Sequence, residues 1–275
     1  MTARTLDDID KTLVLIGAGK MGGAMLESWL ALGLEPRRVA VIEPQPASAI
    51  AALAGRGLRL NVPLLSITDA AIIVIAVKPQ AAGEALPPLR PIAGPATLIL
   101  SIMAGKTLAF LEGALPGAAI VRAMPNTPAA IGRGITVAVA NAQVSSAQRE
   151  LAQRLLGATG KVEWVKDETL MDAVTAVSGS GPAYVFLLAE SLARAGVAAG
   201  LPPELAARLA RETVAGAGEL LHQSPLDAGT LRQNVTSPGG TTAAALEILM
   251  ASEGLDPLLA KAVAAAVKRS RELGG

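Results

Sequence analysis

The chain has 275 residues, 51% hydrophobic and only 2% aromatic, with 24 basic and 23 acidic side chains and a net charge of +1. Balanced charge, a single Tyr and two Phe argue against nucleic acid as a partner, since neither a phosphate-tracking surface nor a stacking platform is available. The lack of Cys excludes disulfides, thiolate metal ligands and cysteine nucleophiles.

Asp7, Asp8 and Asp10 precede the first apolar run, which is not the pattern of a signal peptide, so the cytoplasm is the expected compartment. No apolar run nears the roughly 20 residues of a membrane span; the longest pure run is Ala70–Val77. "TLVLIG" (12–17) reads as a buried strand, followed by a helix over 22–32. "RVAVIE" (38–43) predicts a second strand and 47–54 a second helix, with a weaker strand near 58–61. The runs 70–77, 96–102, 118–124 and 134–140 continue the series, and a helix over 146–157 and a strand over 161–165 close it. Continuous apolar strands alternating with helices predict a parallel sheet covered on both faces.

Beyond residue 167 the strands stop. Helical patterns occupy 168–178, 183–199, 203–222, 242–251 and 257–273, with Pro182, Pro203 and Pro257 near first turns. Leu187, Leu188, Leu192 and Val197 cover more than one face of their helix, and a second copy of the same domain would supply the missing partner.

"LVLIGAGKMGGAML" places Gly17, Gly19 and Gly22 at G-x-G-x-x-G spacing, after a strand and opening a helix. Gly17 allows the tight turn, Gly19 lets a backbone amide approach a pyrophosphate at the positive helix terminus, and Gly22 lets helix and strand pack. Glu43 ends the second strand, where an acid accepts from adenosine ribose hydroxyls and repels a 2′-phosphate. No Arg or Lys follows until Arg56, which leans toward NADH over NADPH. "AVKPQ" (76–80) puts Lys78 and Pro79 at the carboxyl end of a strand, where ligands of parallel sheets bind. "SIMAGK" (101–106) and "RAMPNTPAAIG" (122–132) share that end. The latter reads as a shaped loop around Asn126 and Thr127 or as rigid-turn chemistry. The fold class is therefore α/β, with an N-terminal Rossmann-type parallel-sheet domain (1–166) followed by an all-helical dimerisation domain (167–275).

Side chains for acid–base work are scarce. His222, the only histidine, ends a helix, where the dipole alone favours it. One His and no Cys leave no metal site, and no G-x-S-x-G is present. "SGSGPAY" (178–184) reads as a close helix contact. A reaction that the cofactor mostly performs is required, and hydride transfer to an already electrophilic C=N bond meets that need.

The motifs "IGAGKMGGAM", "AVKPQ", "RAMPNTPA", "SGSGPAYVF" and above all "NVTSPGGTTAAAL" stand in the order and spacing of a known family. From about residue 12 to 271 the sequence resembles the 1-pyrroline-5-carboxylate reductases. The resemblance implies NAD(P)H-dependent reduction of a cyclic imino acid to L-proline by a homodimer joined through its helical domain, with dimers often assembled into a ring. It implies that Ile16, Gly17, Ala18, Gly19, Lys20 and Met21 line the pyrophosphate and that Glu43 stands at the ribose. Ala76, Val77, Lys78, Pro79, Ile102, Met103 and Ala104 flank the nicotinamide, and Asn234 is a further cofactor contact. Thr241 and Thr242 hold the substrate.

On that basis the Gly239 and Gly240 amides, ahead of a helix starting near Thr242, are expected to hold a carboxylate. Ser237 adds a hydrogen bond, and the Thr242 hydroxyl donates or relays a proton at the ring nitrogen. A capped turn with Thr as N-cap explains the same stretch, and both can hold. Three departures bear on cofactor preference: Glu43 where NADP-preferring members often carry Ser or Thr, Met103 in place of a smaller residue, and Pro63 where some members have Asn. A reductase of another cyclic imine is a second enzymatic reading. A β-hydroxyacid dehydrogenase would want a Lys within 168–199, where none occurs. A non-catalytic dinucleotide sensor would keep Gly17–Gly22 but have no use for the junction at 235–242.

Overall fold

A computed structural model describes residues 5–274; residues 1–4 and 275, the extreme ends of the two expected domains, lie outside the described residues. The chain divides into two compact units. The first runs to Gly179 and includes the C-terminal stretch from Val267; the second is Ser180–Ala266.

The first unit is built on an eight-stranded sheet among the described residues: β1 (Thr12–Ile16), β2 (Val39–Ile42), β3 (Arg59–Leu60), β4 (Ala70–Ile75), β5 (Leu98–Ser101), β6 (Ala119–Met124), β7 (Gly134–Ala140) and β8 (Gly160–Trp164). Their order is β3-β2-β1-β4-β5-β6-β7-β8. The first six reproduce the doubly wound order, whose switch point, between β1 and β4, opens a crevice for a dinucleotide. Every strand pair is parallel except β6 and β7. The wholly parallel sheet expected from the sequence is corrected there. Residues 125–133 joining the two strands hold only a 3₁₀ turn (Thr127–Ile131), too short for a crossover helix, so the chain must reverse.

Period-two alternation sends side chains to opposite faces. Leu13 and Leu15 of β1 join one core cluster, and Val14 and Ile16 join another. Helix α1 (Lys20–Ala31) covers the first face and seats Trp29 there; its indole N–H donates to the Leu155 carbonyl at 2.8 Å. Leu155 belongs to a later helix, Ser146–Gly157, whose start is fixed by a capping box between Ser145 and Gln148.

The predicted helix over 168–178 is broken into a 3₁₀ turn, a four-residue α turn (Met171–Val174) and a π turn (Thr175–Gly179). Met171 is buried against Val137 and Val139, which ties this segment to the sheet unit. The longer helices of the second unit are Gly181–Ala198 and Pro203–Gln223. They pack on one another where Gly196 faces Leu201 and Ala206, about 3.2 Å from the place its missing Cβ would take. A short helix, Ala228–Asn234, was not expected; its start is capped by Asp227, which accepts from the Thr230 amide at 2.9 Å. Helices Thr241–Leu249 and Leu255–Gly274 complete the chain. No residue of Gly181–Ala198 is buried, and Phe186, Leu187 and Leu188 are each more than half exposed.

Candidate active site

The turn from β1 into α1 is possible only with glycine at two points. Gly17 has φ +87, and a Cβ there would lie 2.8 Å from the Ala76 carbonyl oxygen. A Cβ on Gly22 would lie 2.3 Å from the Gly17 oxygen and 3.1 Å from the Ala76 methyl. The loop is held by the Gly17 N–H donating to Ile42 and the Ala76 N–H donating to Ile16. Gly19, the N-cap of α1, differs: nothing lies within 4 Å of its absent Cβ, and no side chain caps the helix. Open space therefore fronts uncapped first-turn amides and the positive end of the helix dipole, which fits a dinucleotide pyrophosphate.

A cleft of about 610 Å³ lies at this end of the sheet. Its walls are Gly19–Met21, Ala76–Pro79, Ile102 and Ala104, Met124–Thr127, and Gly179. Four strands thus deliver their carboxyl-end loops to one place. Of the residues expected to flank a cofactor, Gly19, Lys20, Met21, Ala76, Val77, Lys78, Pro79, Ile102 and Ala104 are brought together here. Ile16, Gly17 and Ala18 are buried beneath the turn. Met103 does not face the cleft. Its side chain is 2% exposed and packs into the core below the loop, so it does not alter the pocket by its size.

The charged side chains lining this cleft are Lys20 and Lys78. It holds no carboxylate, imidazole or phenol to serve as a general acid or base, and no cluster of metal-ligating residues occurs among the described residues. Met124, Pro125, Asn126, Thr127 and Gly179 also line the cleft, and none of them was assigned a specific role from the sequence; two of them show how the wall is held. Asn126 lines the cleft while its Oδ1 accepts from the Ile135 amide at 2.9 Å, so the loop between two prolines is anchored to β7. Gly179 ends the π turn, and a Cβ there would strike the Met124 methyl at 2.5 Å. π turns mark functional sites often enough to be a signal, but they are not readable from composition.

Glu43 follows β2. One carboxylate oxygen accepts from the Ala18 amide at 2.9 Å and the other from the Gln45 amide at 3.0 Å. The nearby Arg59 reaches Thr12, at the amino end of β1, and so points away from the cofactor end.

The second unit holds the remaining candidates, at residues 234–242. Asn234 is the last residue of its helix. Ser237-Pro238-Gly239-Gly240 is a tight turn: Gly239 has φ +70 and the Gly240 amide donates to the Ser237 carbonyl at 3.0 Å. Pro and a left-handed Gly at the two central positions are the type II pattern. The expectation that both glycines bare their amides is corrected here, because the turn uses the Gly240 N–H. The helix starts at Thr241, with Gly240 as N-cap and no side-chain cap. Its first i−4 bond runs from Ala244 to Gly240, so the Thr241, Thr242 and Ala243 amides are the ones left without intrahelical acceptors. Thr242 is half-buried.

Residues 168–273 match the family model described as pyrroline-5-carboxylate reductase dimerisation, and residues 12–105 match one described as NADP oxidoreductase coenzyme F420-dependent. The chain is 41% identical to a pyrroline-5-carboxylate reductase of Pseudomonas aeruginosa over 95% of its own length and 96% of that protein's. It is 40% identical to one from Synechocystis, covering 95% and 98%. Among solved structures, a pyrroline-5-carboxylate reductase from Coxiella burnetii superposes with a TM-score of 0.88 at 34% identity, over 96% of this chain and 99% of that one. A Plasmodium falciparum pyrroline carboxylate reductase with NADP bound superposes with a TM-score of 0.81 at 30% identity, over 97% and 99%.

Proposed function

Because the chain belongs to the pyrroline-5-carboxylate reductase family, we propose specific roles for its residues in the reaction of that family. It is an oxidoreductase that reduces 1-pyrroline-5-carboxylate to L-proline with NAD(P)H, the last step of proline biosynthesis. Reduced nicotinamide, when bound, supplies the hydride that goes to the imine carbon. The remaining work is position and charge. Gly19 through Met21 hold the pyrophosphate on the α1 amides, assisted by the Lys20 charge. Ala76 through Pro79, Ile102 and Ala104 wall the nicotinamide from water, and Asn234 adds a cofactor contact. The Thr241, Thr242 and Ala243 amides and the Ser237 hydroxyl bind the substrate carboxylate. The Thr242 hydroxyl bonds to the ring nitrogen and donates or relays a proton there.

The observation that carries this reading is a glycine-cradled cleft whose charged lining residues are two lysines. Such a site binds a polyanionic cofactor and leaves proton chemistry to a hydroxyl. NADH is the proposed cofactor in preference to NADPH. The Glu43 carboxylate is held against the glycine turn, where a 2′-phosphate would meet it, and Arg59 is engaged elsewhere. A homodimer through the helical domain, closing with others into a ring, would cover the exposed apolar face of Gly181–Ala198. The cytoplasm, where reduced nicotinamide is regenerated, is the proposed compartment. The test is the decay of NADH or NADPH absorbance on adding 1-pyrroline-5-carboxylate. Oxidation dependent on that substrate and faster with NADH is expected; no oxidation with either cofactor would overturn the reading.

A further inference from the structure

We infer that Asn61 is a positioning residue for Glu43 and so sets how strongly the enzyme discriminates between NADH and NADPH. The inference rests on the reading of Glu43 as the ribose-side acid. Asn61 has φ +52, and it is the non-glycine residue with positive φ among the described residues. Asparagine tolerates that left-handed conformation at small cost. The conformation turns its side chain back on the end of β2. There Asn61 Oδ1 accepts from the Glu43 amide at 2.8 Å, and Asn61 Nδ2 donates to the Glu43 carbonyl at 2.9 Å. Its own amide donates to the Val41 carbonyl at 2.8 Å.

The geometry has a reason. β3 is two residues long, and its pairing with β2 ends at Val41 and Leu60. Glu43 lies beyond that ladder, so no strand residue fixes its peptide groups. The Asn61 carboxamide substitutes for the missing rung, with one donor and one acceptor matched to one amide and one carbonyl. With the main chain clamped, the Glu43 carboxylate spans the Ala18 and Gln45 amides. An acid fixed in this way is pre-organised both to accept ribose hydroxyls and to repel a 2′-phosphate. A freely rotating acid would swing into solvent, losing the first and relieving the second.

Asn61→Gly is the cleanest test, because glycine accepts the backbone conformation and removes only the carboxamide. Calorimetric titration of NAD⁺ and NADP⁺ into the full-length protein reads affinity without turnover. The expected result is a fall in preference for NAD⁺ of about five- to tenfold, the scale of one or two hydrogen bonds, with circular dichroism unchanged. In the Glu43→Ser background, Asn61→Gly should change the ratio no further, since the two act as one unit. A ratio unmoved by Asn61→Gly but shifted by Glu43→Ser would overturn the inference and leave the reading of Glu43 standing. Equal effects of Asn61→Gly with and without Glu43 would overturn it too. A ratio unmoved by either substitution would reject Glu43 itself. Should the glycine variant fail to fold, Asn61→Asp retains the acceptor but not the donor and should give an intermediate shift; a wild-type ratio in that variant counts against the inference.

Discussion

Arg122 and Glu168 meet at 2.6 Å, the guanidinium rising from the middle of β6 with its side chain 6% exposed and the carboxylate 27% exposed. The same Glu168 oxygen accepts from the Leu108 amide at 2.7 Å. Leu108 starts the short helix that leads away from the 102–107 loop, so one carboxylate holds a buried charge and the loop behind the cleft. Glu168→Ala leaves the Arg122 guanidinium, 6% exposed, without the carboxylate it is paired with. Broken buried pairs cost about 3–5 kcal/mol, and the partial exposure of Glu168 places the loss near the lower end. Urea unfolding should show it as a lower midpoint. Replacing both residues with Met should recover much of the loss, whereas additive losses would show that the pair is not one energetic unit.

The glycine turn makes a paired prediction. Gly22→Ala drives a methyl to 2.3 Å from the Gly17 oxygen, so helix and strand must separate. A cost of about 1–3 kcal/mol in stability is expected, together with loss of cofactor binding. Gly19→Ala meets nothing within 4 Å, so stability should hold while affinity for NADH falls. Thermal melts and binding titrations separate the two; equal melting losses in both would refute the division of roles.

The inner strands of the sheet were legible because strands buried on both faces are mostly apolar; those of 134–140 and 118–124 differ from their expected spans by a residue at most. The reversal of β7 was less legible, since it depends on the length of the 125–133 connection rather than on any residue type. The helices at Leu108–Ala114 and Ala228–Asn234 were missed because each is seven residues long, too short for periodicity to show. Their caps, Thr107 and Asp227, were the available signals. Gly19 at the cleft, and Gly17 and Gly22 in the turn beneath it, could be read because they lie in one local motif. Gly179 and the clamp on Glu43 could not, because each depends on a contact with a residue distant in the chain.

Asp8 makes a pH prediction. Its carboxylate accepts from the Arg154 guanidinium, and that hydrogen bond holds its pKa below the usual 3.8. A depressed carboxylate stabilises the fold above its unfolded pKa, and the contribution disappears as pH falls through the lower folded value. The side chain is 64% exposed, so the pair contributes less than about 1 kcal/mol. Asp8→Asn should therefore lower the melting temperature slightly near neutral pH and make no difference once acid has protonated the wild-type carboxylate. A difference that persists in acid would assign the effect to packing.

Thr242→Val keeps the shape of the side chain and removes the hydroxyl. If that hydroxyl serves the ring nitrogen, kcat should fall by roughly a hundred- to ten-thousandfold, the range spanned by positioned proton donors. NADH affinity should stay within about twofold, because the half-buried side chain is assigned to substrate and not to cofactor. Stopped-flow turnover and NADH fluorescence titration measure the two quantities independently. Collapse of NADH affinity with the rate per bound complex intact would move Thr242 into the cofactor site.

The helix Gly181–Ala198 contains no buried residue, although Phe186, Leu187 and Leu188 lie in succession on it, 62%, 56% and 53% exposed. Consecutive residues on a helix point about 100° apart, so three adjacent apolar side chains cannot all be accommodated by a single neighbouring helix. An exposed apolar surface this broad marks a site of association. Phe186→Glu with Leu188→Glu places two charges in the face that a second copy would bury. Light scattering should then report a single chain where the wild type is at least a dimer. The wild-type melting temperature should rise with protein concentration while that of the variant should not, as mass action requires when folding and association are linked. A variant of unchanged mass would show that a different face joins the copies.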